Sequence, residues 1–196
     1  MTPLEKIRER AVNDTNVNVV LPEGKDARIC KAAAEITEQK IARVTVLGKE
    51  EEILKAASES GVFLDDVEVF DPMHDPDFEN YVSDYYELRI KKGMTMERAR
   101  EIMGDPTFFS AMMLRKDRAD ICISGALNPT AHVLRAGLQI VRTGAGDLRN
   151  VKRHADVLAG RPPAAVLCRL RRQSGSQCRA ACGDRLYDGT DPSVDL

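Results

Sequence analysis

The stretch ICISGALNPTAHVLRAGLQIV, residues 121–141, decides how the rest of the chain is understood. Ile121-Cys122-Ile123 is a short apolar run of the kind that parallel sheets bury on both faces. Ser124-Gly125-Ala126 and Asn128-Pro129-Thr130 interrupt it, and an amphipathic run carrying Arg135 follows. A strand, a small-residue turn and a helix make one βα unit. In open parallel sheets ligands gather beyond the carboxyl ends of the strands. Glycine there lets a ligand approach the main chain, and free N–H groups at a helix start favour an anion. With the Ser124 and Thr130 hydroxyls and the Arg135 guanidinium fork, the loop has the parts of a phosphate cradle. An ordinary βα loop capped by Asn128, with Pro129 in the first turn, accounts for the same residues equally well.

Outward from this unit, residues 1–146 alternate Val/Ile-rich runs with amphipathic stretches, as parallel strands joined by crossover helices do. Strands are expected at 17–21 (NVNVV), 43–47 (RVTVL), 67–70 (VEVF) and 120–123 (DICI). Helices are expected at about 3–13, 26–40, 50–60, 76–92, 95–103, 106–116 and 129–143. Asp26, Thr95 and Asp105-Pro106 stand where helix caps belong. The implied fold is α/β: a parallel sheet with crossover helices on both faces, a Rossmann-like three-layer sandwich, with an incomplete second domain.

Two further segments invite a ligand. Leu21-Pro22-Glu23-Gly24-Lys25-Asp26 ends the first strand, with Arg28 in the first turn of the next helix, though a βα turn with an exposed basic residue is the plainer account. Tyr85-Tyr86-Glu87-Leu88-Arg89 runs into Lys91-Lys92-Gly93. Cations followed by glycine are also how an ordinary helix ends. His132, a single histidine on a helix, is not read as a catalyst. Cys122, mid-strand among isoleucines, is read as a small hydrophobe with a raised pKa. Cys168, Cys178 and Cys182 with His154 match no common zinc spacing, and no metal is expected.

Twenty-nine Lys and Arg against thirty-one Asp and Glu give a net charge of −2 over 196 residues. The signs are interspersed, which argues against nucleic acid as a partner. No apolar run approaches the roughly 20 residues that cross a bilayer, and the charged start MTPLEKIRERAVND has no secretory character. A soluble, cytoplasmic protein with five free thiols is expected. Composition breaks near Asp147: all fourteen Glu, five Phe and seven Met, and every Ile, precede it. Residues 147–196 hold nine Lys and Arg against six Asp, a net +3 that leaves −5 for residues 1–146. There, Arg, Cys, Gly and Pro replace the periodic patterns. Only AAVLCRL resembles a strand or short helix, and the run Arg169-Leu170-Arg171-Arg172 lacks the aromatics of an RNA surface. This tail is expected to be disordered or poorly folded.

The blocks LEKIRERA, VVLPEGKDARICKAA, VTVLG, YYELRIKKGMTMERAREIM, FFSAMML and ISGALNPTAHVLRAGLQIV occur in an order and at separations that resemble the phosphate acetyltransferase (phosphotransacetylase) family, with its phosphate butyryltransferase relatives, over about residues 1–146. The resemblance implies a two-domain acyltransferase of acetate metabolism that converts acetyl-CoA and phosphate to acetyl phosphate and CoA. Coenzyme A is then a substrate, no cofactor is needed, and homodimers are common. It places Arg89 and Arg135 in the substrate site, with the loop of Ser124 and Gly125 and the Thr130 hydroxyl against the acyl phosphate. Arg28 matches a further basic position, where contact with CoA and a structural role are both open. His132 and Pro129 stand where many members carry aspartate and a hydroxyl residue. The family's thiol-deprotonating aspartate and its Ser-Arg neighbours fall far beyond Leu196, so no catalytic residue is carried over. The expectation is a truncated, impaired enzyme whose tail from residue 147 is an out-of-frame reading of a GC-rich gene. A non-catalytic phosphate- or CoA-binding fragment, a butyryltransferase-like enzyme and a subunit-interaction piece are the alternatives.

Overall fold

The computed structural model describes residues 17–141, 151–153 and 165–168. The helix expected over 3–13, and most of the tail, lie outside the described residues. Strands β1 (Asn18–Leu21), β2 (Arg43–Leu47), β3 (Glu68–Phe70) and β4 (Ile121–Ser124) fall within a residue of their expected bounds. Helices α1 (Ala27–Glu38), α2 (Glu50–Ser60), α3 (Phe78–Arg89), α4 (Met96–Met103) and α5 (Pro106–Arg115) connect them. Asp26, Thr95 and Asp105 cap α1, α4 and α5, each side chain accepting a main-chain N–H inside the first turn. The helix expected over 76–92 is shorter, because at Ile90–Lys92 the chain tightens into a 3-10 turn that Gly93 closes at φ 75°.

The sheet order is β3-β2-β1-β4-β6-β5, where β5 is Val151–Arg153 and β6 is Ala165–Cys168. The first four strands run parallel. β6 lies antiparallel to β4, and β5 antiparallel to β6, so the sheet is mixed at this edge. Antiparallel neighbours need no crossover helix between them.

Two layers cover the sheet. Val19, Leu21, Val44 and Val46 pack with Cys30, Ala33 and Ile53 of α1 and α2. Val20, Leu47 and Cys122 pack with α3, α4 and α5 on the opposite face. The alternation along each strand follows from its two-residue side-chain period. α5 is buried all round from Thr107 to Leu114, as a helix apolar on every side must be. Its Phe109 is the hub of an aromatic cluster, 5.0 Å from Tyr81, 6.2 Å from Phe70 and 6.5 Å from Phe78 between ring centroids. Because β2 and β4 flank β1 on opposite sides, chain direction across the sheet reverses at β1/β4, and this is where a ligand crevice belongs.

Candidate functional site

The two loops at this switch point are tied to each other. Glu23, just past β1 and 3% exposed, points its carboxylate into the loop that follows β4. The N–H groups of Gly125 and Ala126 donate to Oε2 at 2.8 Å each, and those of Leu127 and Asn128 donate to Oε1 at 3.0 and 2.7 Å. Gly125 makes the bend at φ 113°, where a side chain is strained. Gly24 is needed for space: a Cβ there would lie 2.5 Å from Val46 and 2.7 Å from Ile53. Arg28 closes the loop from outside, donating to the Ala126 carbonyl at 3.1 Å and to Asp26 at 3.0 Å through Nε. That hydrogen bond holds the Asp26 carboxyl below its ordinary pKa, against the opposing effect of burial. Arg28 therefore has a structural engagement, while its side chain remains 72% exposed.

The main-chain N–H groups of the small-residue loop before the helix are thus taken by an internal carboxylate. The capping expectation is also corrected. Asn128 does not cap α6 (Thr130–Ala136); Pro129 holds the cap position and no side chain bonds there. The Asn128 amide is drawn away, donating to Thr107 Oγ1 at 3.0 Å. α6 ends earlier than the expected 143, giving way at Gly137 to a π turn over Gly137–Val141.

The positive charges of Arg89 and Arg135 both act on Tyr85. This tyrosine is fully buried and donates to Gln139 Oε1 at 2.7 Å. Burial pushes its phenol pKa up, and the positive charges of Arg89, Arg98 and Arg135 pull it back. Among the described residues no carboxylate lies within ion-pair distance of Arg89, Arg98 or Arg135. Arg89 Nε and Ser124 Oγ are buried without a hydrogen-bond partner among the described residues. Buried polar atoms are nearly always paired, so these two are the exceptions to explain. Thr130, half-buried, begins α6. Arg98, on the exposed side of α4, is the member of this group that the sequence did not single out.

His132 is spoken for. Its Nε2 lies 3.0 Å from Asp105 Oδ2, and its ring meets Phe108 edge-on at 5.4 Å. Cys122 is inert as expected: burial raises its thiol to about 12. Among the described residues no group of three or more His, Cys, Asp or Glu is arranged to hold a metal, and no helix is long and apolar enough to cross a membrane. A cavity of about 620 Å³ (Asp77, Tyr81, Asp84, Lys116, Arg118) and one of about 290 Å³ (Asn18, Arg43, Glu68, Arg118) lie at the amino ends of the strands. Neither includes a candidate site residue.

The sequence matches the family model for phosphate acetyl/butaryl transferase over residues 3–149. The chain belongs to this family. It is 42% identical over 146 residues to a phosphate acetyltransferase of Acetivibrio thermocellus, covering 74% of this chain and 43% of that protein. It is 38% identical over 146 residues to one of Thermoanaerobacterium thermosaccharolyticum, covering 74% and 44%. A phosphotransacetylase from Streptococcus pyogenes superposes with a TM-score of 0.69 at 28% identity, over 79% of this chain and 49% of that one. The chain thus spans under half the length of these relatives. In this phosphate acetyl/butaryl transferase family member, the residues brought to Tyr85 and to the β1/β4 loops all lie within the matched segment.

Proposed function

We propose that this chain carries the phosphate-binding part of an acyltransferase that interconverts acetyl-CoA plus phosphate and acetyl phosphate plus CoA, a step of acetate metabolism in the cytoplasm. One observation carries the proposal: Arg89 Nε and Ser124 Oγ are buried without a hydrogen-bond partner, and no carboxylate pairs with Arg89 or Arg135 among the described residues. Cations without a carboxylate partner inside the fold leave a positive potential that draws an anion from solution.

Arg89 and Arg135 hold the phosphate oxygens, since guanidinium groups stay charged and bond them in pairs. The unpartnered Ser124 hydroxyl and the Thr130 hydroxyl supply further donors beside Gly125. Arg28, exposed at the rim, contacts CoA in addition to tying the loop. In the forward direction to acetyl-CoA, the CoA thiolate attacks the acetyl carbonyl of acetyl phosphate. A C–S bond forms, the C–O bond breaks and phosphate leaves with the bonding pair, its added charge met by the arginines. The thiol proton goes to a base that none of these residues supplies. Coenzyme A is consumed as a substrate, no cofactor takes part, and two copies pair as a homodimer.

A second reading, a phosphate- or CoA-binding fragment with little turnover of its own, is favoured by one coincidence. The family match stops at residue 149, beside the composition break at 147. Residues 147–196 are then a segment foreign to the family, which reading the coding DNA in all three frames around codon 147 tests directly. For function, phosphate affinity and acetyl phosphate turnover are measured on the full 196-residue chain and on Arg135→Ala. Phosphate binding that Arg135→Ala weakens by about tenfold or more is expected. Turnover alongside it supports the enzyme, binding without turnover supports the fragment, and binding indifferent to Arg135 refutes both.

A further inference from the structure

Glu23 is the buried ionisable group that the phosphate site does not use. Its carboxylate accepts four successive main-chain N–H groups, from residues 125 to 128, at 2.7–3.0 Å. Consecutive N–H groups converging on one point form a nest that binds anions. In this protein the anion belongs to the chain. Two carboxylate oxygens, each accepting two donors, use all four N–H groups. Arg28 braces the same loop through the Ala126 carbonyl, and Asn128 is anchored below through Thr107.

We propose that Glu23 is a positioning residue of the phosphate site: a built-in anion that fills the 125–128 nest, so that an incoming phosphate meets Arg89, Arg135 and the Ser124 hydroxyl rather than the main chain. The inference rests on the phosphate-binding reading above. It assigns the donors within that site. Ser124 ends β4 immediately before the nest, so holding residues 125–128 in one shape also fixes where its hydroxyl and the start of α6 stand.

The full 196-residue chain, labelled with 15N, is compared with Glu23→Ala and Glu23→Gln, using formate and inorganic phosphate as probes. Glu23→Ala moves the amide resonances of all four residues 125–128, and formate, a free carboxylate, returns them saturably toward their wild-type positions. In Glu23→Gln one oxygen still accepts while the NH2 group opposes donors, so either the 125/126 pair or the 127/128 pair moves more. This pattern decides alone if Glu23→Ala does not fold. Arg135→Ala weakens phosphate binding about tenfold or more in the wild-type background, but less than about threefold in Glu23→Ala, where the opened nest supplies donors. Four amides that stay in place in both variants, a Glu23→Ala nest that formate does not refill, or an equal Arg135→Ala effect in both backgrounds overturns the inference. Failure of the phosphate reading looks different: formate refills the nest, yet wild type and Arg135→Ala bind phosphate alike.

Discussion

Arginines in two regions of this protein are held in opposite ways. At the amino ends of the strands, Arg118 donates to Asp75 at 2.7 and 2.8 Å, lies 3.6 Å from Asp77, and stacks its guanidinium 5.1 Å from the Phe70 ring centre. Asp75 is buried with 2% of its side chain exposed, and the pair raises Arg118 above its ordinary pKa. Arg89, Arg98 and Arg135, whose charges act on Tyr85, have no such partner among the described residues, and the Nε of Arg89 is buried and unbonded. A cation cancelled inside the fold is scaffold. Cations left uncancelled weaken the fold slightly and serve an anion from solution.

The sharpest way to break this comparison is to remove a charge from each region. Asp75→Ala removes both short carboxylate contacts of Arg118 and leaves it the longer one with Asp77, and the unfolding free energy should fall by about 2–3 kcal/mol. The effect is below the ~3–5 kcal/mol of a fully buried pair because Arg118 is 30% exposed. Chemical denaturation measures it, and a loss under about 1 kcal/mol would mean that Arg118 is no more structural than Arg89. Arg89→Ala should do the reverse. Phosphate affinity falls about five- to tenfold while stability stays within about 0.5 kcal/mol of wild type, since no ion pair is lost with it. A destabilisation matching that of Asp75→Ala would end the distinction.

The smallest effect concerns Arg28, which combines both behaviours, being paired yet exposed. Its hydrogen bond lowers the Asp26 pKa, so this pair stabilises the fold above the ordinary carboxylate value, about 3.9, and the contribution is lost as pH falls through the lower folded value. Wild type should therefore lose stability more steeply than Arg28→Ala below about pH 4. Parallel pH profiles of the denaturation midpoint would show that Arg28 is not engaged with Asp26 in solution.

Much of the fold was legible in the sequence because its signals are short-ranged. Val/Ile runs bounded by Pro22, Gly48 and Asp71 located the strands, and Asp26, Thr95 and Asp105 marked helix starts through bonds spanning only two or three residues. The site was legible only in outline. Arg89 and Arg135 were singled out and neither has a carboxylate partner among the described residues, but Arg98 looks from its surroundings in TMERAR like any solvent-facing helix residue. Glu23 was read only as part of the turn after the first strand, because its four donors lie 102 to 105 positions away. The Asn128 cap was misassigned for a related reason: its amide satisfies Thr107, on a helix 21 positions earlier, which no local pattern records.

By itself, then, the sequence determined the four parallel strands, the crossover helices, the inert burial of Cys122 and the family. Periodicity and capping are encoded within a few residues, and family motifs are read directly as strings. Only the tertiary structure decided which charges are cancelled. Asp75 reaches Arg118 across 43 positions, and Glu23 reaches the nest across more than a hundred. Hydrogen bonds and ion pairs act over about 3–4 Å of space, so whether an arginine is scaffold or site depends on which groups the fold brings within that distance.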